Sequence, residues 1–71
     1  MTTSNQPRRT VRFYLLRDTR TGLYDEGKRI DGQRICTGTQ DSAEDYSDSE
    51  IEIMFPDGLP DGWEKEVTFE I

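Results

Sequence analysis

Two Pro-Asp-Gly units, residues 56–58 and 60–62, stand almost back to back in the segment PDGLPDGW. Proline presets the first turn position and glycine accepts positive φ, so the chain is expected to make two consecutive turns here. Runs of alternating polarity lie on either side. In residues 49–55 (SEIEIMF), Ile51, Ile53 and Phe55 alternate with Glu50, Glu52 and Met54. In residues 63–71 (WEKEVTFEI), Trp63, Val67, Phe69 and Ile71 share one parity with Lys65, and Glu64, Glu66, Thr68 and Glu70 share the other. Period two marks a half-buried strand. The pattern predicts an antiparallel pair with one apolar face and one acidic face.

Residues 10–17 (TVRFYLLR) alternate in the same way. Their two faces are both partly apolar, which predicts a central strand covered on each side. Asp18 and Gly22 bracket turn chemistry, and Leu23-Tyr24 then begins a short return strand. Asp31-Gly32, between residues 28–30 and 33–37, predicts a type I′ hairpin with few apolar residues, a surface excursion. In residues 39–49, Asp41 and Glu44 have the spacing of a helix N-cap and its reciprocal partner. Serines and aspartates follow, so only one or two helical turns are expected, with Ala43 and Tyr46 inward. Residues 1–9 are polar, contain Pro7 and read as an arm.

Pooling the apolar faces gives an expected core of Val11, Phe13, Leu15, Leu23, Ile35, Ile51, Ile53, Phe55, Trp63, Val67 and Phe69. The fold expected is a single small α+β domain over residues 10–71: an antiparallel sheet of three to five strands with one short helix. A chain of 71 residues has a thin core, because a domain this small buries only about 60% of its unfolded surface.

Composition narrows the chemistry. There is no histidine and a single cysteine, Cys36, which leaves no disulfide framework, no ordinary zinc site and no histidine base. Cys36 reads as a small core residue. No apolar run approaches membrane length. A calcium loop is not expected around residues 41–50, because the ligand spacing and central glycine are missing. Ser42, Ser47 and Ser49 each precede an acidic residue by three positions, as in casein-kinase acceptor sites, a pattern that any acidic stretch produces by chance. Acid–base catalysis by carboxylate pairs needs a pocket with differentiated environments, which so small a sheet has little volume to form. No enzymatic activity and no cofactor are expected.

Charge is the more informative property. Residues 1–36 carry eight basic side chains against four acidic ones, and residues 37–71 carry eleven acidic side chains against Lys65 alone, giving +4 and -10 within a net charge of -6. Such a division steers association with an oppositely charged partner. On the expected strand pair, Glu50 and Glu52 share one face, and Glu64, Glu66 and Glu70 share a face of the neighbour. Side chains two apart on a strand are roughly 6.5–7 Å apart, so the five would form a two-row array. DNA carries one charge per about 3.4 Å of axis on each strand, a comparable line density. The mutual repulsion of two carboxylates at about 7 Å is only about 0.6 kcal/mol in water. Asp41, Glu44, Asp45 and Asp48 extend the acidic surface. Its bland alternative is the solvated face of an ordinary sheet, against which stands the scarcity of interspersed bases.

Residues 17–24 (RDTRTGLY), following an apolar strand, resemble the opening of many small bacteriophage proteins. In those proteins a short helix and a Val/Glu-Ile strand often follow, matched loosely by residues 41–46 and 50–53. The size, acidity and single-domain build are similar to phage-encoded anti-CRISPR proteins, several of which act as DNA mimics. That resemblance implies a phage or mobile-element inhibitor working in the host cytoplasm. Its partner would be a basic protein surface, the nucleic-acid-binding channel of a host defence complex. The protein itself is then expected to be a monomer that binds no nucleic acid directly and no membrane. A regulatory or assembly adaptor, docking through a sheet edge or the PDGLPDGW loop, is the alternative. RNA binding through the arginines of the first half is a third reading, opposed by the acidity of the whole chain.

Overall fold

The structure, a computed structural model, describes residues 11–71, so the arm assigned to residues 1–9 lies outside the described residues. It is an α+β fold. Strand β1 (Arg12–Asp18) is central in a three-stranded antiparallel sheet of order β4-β1-β5, between β4 (Asp45–Ser47) and β5 (Trp63–Glu70). A separate two-stranded ribbon pairs β2 (Arg29–Ile30) with β3 (Gln33–Arg34), and the helix α1 (Asp48–Met54) packs against β4 and β1.

The turns follow their residues. Asp18 accepts the backbone N–H of Arg20 at 2.9 Å, and Gly22 has φ +78°. Asp31 and Gly32, at φ +52° and +80°, join Ile30 to its partner Gln33, as a type I′ hairpin requires. Beyond Asp18 the return is a single bridged residue, Tyr24, set between Arg17 and Gly38, rather than a strand.

Residues 49–55 do not form the expected strand. Residues 49–54 belong to α1 and Phe55 is its C-cap, and the reason is the N-cap: the Ser47 hydroxyl accepts the N–H of Glu50 at 3.3 Å, and the Glu50 carboxylate accepts the N–H of Ser47 at 2.9 Å. This capping box satisfies two backbone donors reciprocally. Ile51, Met54 and Phe55, spaced three and four apart, then fall on one helical face, while Ile53 is left 80% exposed. The antiparallel partner of residues 63–70 is therefore β1. The helix expected around Asp41 is only a 3-10 turn (Gln40–Ser42), in which the Thr39 N–H donates to Ser42 Oγ, and Asp45–Ser47 continues as β4.

The core lies on one face of the sheet. Tyr14, Leu16, Tyr46 and Ile51 are its buried members, with Met54, Phe55, Leu59 and Trp63 packed against them. Register explains which residues reach it. Tyr14 stands opposite Tyr46 on β4 and Val67 on β5, and Leu16 opposite Lys65, so these share the face that α1 covers. A bulge then interrupts β5: Phe13 pairs with Phe69 and Tyr14 with Val67, leaving Thr68 as the extra residue. The bulge flips parity. Phe69 consequently stacks on Phe13 at 4.5 Å on the opposite face, away from Val67.

Of the expected core, Leu15 and Ile51 are buried, Phe13, Ile35, Phe55 and Trp63 are half-buried, and Val11, Leu23, Ile53, Val67 and Phe69 are exposed. Val67 faces the core side but lies beyond the cover of the helix. Leu15 is buried from the other side. There the Tyr24 hydroxyl donates to Glu66 at 2.9 Å, so its side chain reaches across β1 from one neighbour to the other.

One buried group has no counterpart in the sequence pattern. Asp25 is wholly buried, and its carboxylate accepts the N–H of Gly27 at 2.8 Å, the Tyr46 hydroxyl at 3.1 Å and the Arg34 guanidinium at 3.3 Å. Its own backbone N–H and C=O bond to Leu16 and Glu44. A buried carboxylate is tolerated only when satisfied in this way. The network fastens the β2–β3 ribbon to the sheet.

Candidate partner-binding surface

Position decides which carboxylates are available to a partner. On β5, Glu64 meets Arg17 at 2.8 Å and Glu66 accepts from Tyr24, both on the Leu15 face. Glu70 lies past the bulge, on the opposite face, and meets Arg12 at 2.8 Å. The three do not share one face. Hydrogen bonding to Glu70 raises the Arg12 guanidinium above its ordinary range, and hydrogen bonding to Glu66 raises the Tyr24 phenol. These carboxylates are matched within the sheet.

Glu50 and Glu52 are on α1, not on a strand, and successive helical residues turn by about 100°, so the two diverge. Glu50 is committed to the cap. Asp48, in the first turn, accepts the Tyr14 hydroxyl at 3.1 Å and the Lys65 ammonium at 3.3 Å, while that ammonium sits 4.5 Å above the Tyr14 ring. The two-row array of strand-borne carboxylates does not form.

The remaining acids lie in a different arrangement. Asp41 is in the 3-10 turn, Glu44 and Asp45 lead into β4, and Glu52 is on α1; all four are exposed, and among the described residues none meets a basic side chain. Residues 35–64 contain nine acidic side chains and no basic one. These exposed acids are carried by the 3-10 turn, β4 and α1: Asp45, opposite Leu15, is on the sheet face away from α1, Glu52 is on the helix, and Asp48 and Glu50 are structurally engaged. The Asp48–Glu52 pair, four residues apart, shares one side of the helix.

Among the described residues, no helix is long and apolar enough to cross a membrane, and no three His, Cys, Asp or Glu side chains gather as a metal cluster. Comparison of the chain with protein-family models, curated proteins and solved structures gives no match.

Proposed function

We propose that this protein acts by binding rather than catalysis: a phage or mobile-element inhibitor whose acidic surface occupies a basic nucleic-acid channel in a host defence complex. The observation that carries the reading is the unbroken acidity of residues 35–64, with Asp41, Glu44, Asp45 and Glu52 exposed and unmatched among the described residues. Carboxylates held on a 3-10 turn, a strand and a capped helix keep their positions, so little ordering is needed when a partner binds. Lys and Arg that would hold phosphates pair with them instead, and opposed fields speed the encounter. Glu64, Glu66 and Glu70, already matched by Arg17, Tyr24 and Arg12, contribute at the rim, and Asp48 and Glu50 hold the surface in shape.

An adaptor function has its own support in β5, which is an edge strand with Val67 and Phe69 exposed. Such an edge can accept a partner strand. The PDGLPDGW loop favours it less, because Leu59 and Trp63 pack against the core.

The test is capture of a host complex on the immobilised protein, followed by competition with duplex DNA and with RNA. Mimicry requires that nucleic acid and protein displace one another from that complex and that the protein alone binds neither. Simultaneous binding of protein and nucleic acid to one complex would exclude it.

A further inference from the structure

Between the β2–β3 ribbon and the PDGLPDGW loop lies a cleft of about 400 Å³, lined among others by Arg20, Arg34, Cys36, Phe55, Pro60 and Trp63. Clefts of this size are typical of small-molecule sites. Its chemistry is unlike that of the acidic surface. Phe55 and Trp63 meet edge to face, with centroids 5.6 Å apart, and supply an aromatic wall. The polar part comprises two guanidinium groups together with Gln33 and the Asp18 carboxylate that holds Arg20, and each guanidinium is anchored through only part of its fork.

Arg34 spends Nη1 on the buried Asp25 carboxylate and the Tyr46 hydroxyl. Arg20 gives Nε to Asp18, whose carboxylate also holds the Arg20 backbone N–H. A side chain at position 62 would have its Cβ 2.9 Å from Arg20 Nε, so Gly62 is what lets Arg20 lie across the loop. Among the described residues, the terminal nitrogens of Arg20, and Nε and Nη2 of Arg34, make no hydrogen bond. A guanidinium has five N–H donors in a planar fork suited to phosphate. Burial pushes the Cys36 thiol up to about 11, so it remains neutral at physiological pH and adds no negative charge to the cleft. A second hollow of about 460 Å³ shares Arg34 and Phe55 and adds Arg29.

We propose that this cleft binds a small aromatic phosphate, its ring against Trp63 and Phe55 and its phosphate at Arg20 and Arg34. Asp18 and Asp25 are positioning residues that orient the two guanidinium groups. The acidity of the whole chain keeps the affinity modest and the binding salt-dependent.

Trp63 is the single tryptophan, so its fluorescence reads the site directly. The probe is adenosine 5′-monophosphate, titrated beside adenosine and inorganic phosphate. The expected result is a saturable change with the nucleotide, while each fragment binds about tenfold more weakly or less, as loss of a charge-assisted contact implies. Arg20→Gln should weaken the nucleotide about tenfold, and Arg20→Lys by less, since it keeps the charge but loses the fork. The Arg20 side chain is 66% exposed, so both variants should keep the wild-type thermal midpoint. No saturable response to the nucleotide, an equal response to adenosine, or wild-type binding by Arg20→Gln would overturn the proposal.

Discussion

Tyr46 donates its hydroxyl to the fully buried carboxylate of Asp25 at 3.1 Å, and Arg34 reaches the same carboxylate oxygen from the ribbon. Among the described residues, Asp25 is the one acidic or basic side chain that is buried. It links β4, the β2–β3 ribbon and, through its backbone, β1. Tyr46→Phe should cost about 1 kcal/mol by leaving one carboxylate lone pair unmet. In a domain of this size that lowers the thermal midpoint by about 4–8 °C. Asp25→Ala should cost more, because it strands the Arg34 guanidinium. An unchanged midpoint in both variants would mean that the network is not formed.

Two positions on the core side of the sheet, one buried and one exposed, give a sharper contrast. Leu16→Ala, at a wholly buried site, should cost about 2–5 kcal/mol. Val67→Ser, at a position 54% exposed, should change stability by about 0.5 kcal/mol or less. Urea denaturation of the pair measures both. If Val67→Ser proved the more damaging, the bulge at Thr68 and the register of β5 would be misplaced.

Ser47→Ala removes the hydroxyl that caps α1 and should cost about 1 kcal/mol, with a loss of helical circular dichroism. Ser47→Asp should retain most of the stability. A strand in residues 49–55 would respond to neither.

The pH profile should fall away on both sides. Asp18 and Glu26 are held below the ordinary carboxylate range, Asp18 chiefly by the Arg20 N–H and Glu26 chiefly by the Thr37 hydroxyl. The unfolded chain therefore binds more protons in acid, and stability present near neutrality is lost as pH falls through and below about 4. In alkali the sign reverses. Burial raises Cys36 from 9.0 to about 11 and Tyr46 from 10.0 to about 12, so the unfolded chain ionises first and stability declines across those intervals. Cys36→Ala should flatten the lower part of the alkaline limb in a pH series of thermal midpoints.

Parts of this architecture were legible and others were not, for identifiable reasons. Residues 12–18 and 63–70 are strands because a period of two with aromatic and β-branched residues has few other outcomes. Asp31-Gly32 formed its hairpin because both residues tolerate positive φ. In residues 49–55 the spacing of Ile51, Ile53 and Phe55 fits a strand, while that of Ile51, Met54 and Phe55 fits a helix. Periodicity alone does not separate the two. The deciding signal, Ser47 with Glu50 three residues on, was present but overshadowed by Asp41 and Glu44. The parity of β5 was legible as far as Val67 and reversed at Phe69 by one extra residue at Thr68, and on β1, where both faces are partly apolar, the pattern did not show that Tyr14 and Leu16 face the helix. Asp25 gave no signal, since its burial depends on Tyr46 and Arg34, which are distant in sequence. Of the nine carboxylates expected on one acidic surface, eight are exposed and Glu66 is half-buried, and a helix and a bulge separate those expected on one sheet face.

The most direct test of the binding account is a calorimetric comparison of two double variants against the captured partner, at low and moderate salt. Asp45→Lys with Glu52→Lys reverses two unmatched carboxylates, and Val67→Ser with Phe69→Ser removes the exposed apolar side chains of β5. Asp31→Lys, on the ribbon turn, serves as the distant charge control. Wild-type binding should weaken steeply with salt, the charge reversal should abolish it, and the β5 variant and the control should bind nearly as wild type. Binding that survives the charge reversal and is lost in the β5 variant would contradict acidic mimicry and assign the partner to the sheet edge.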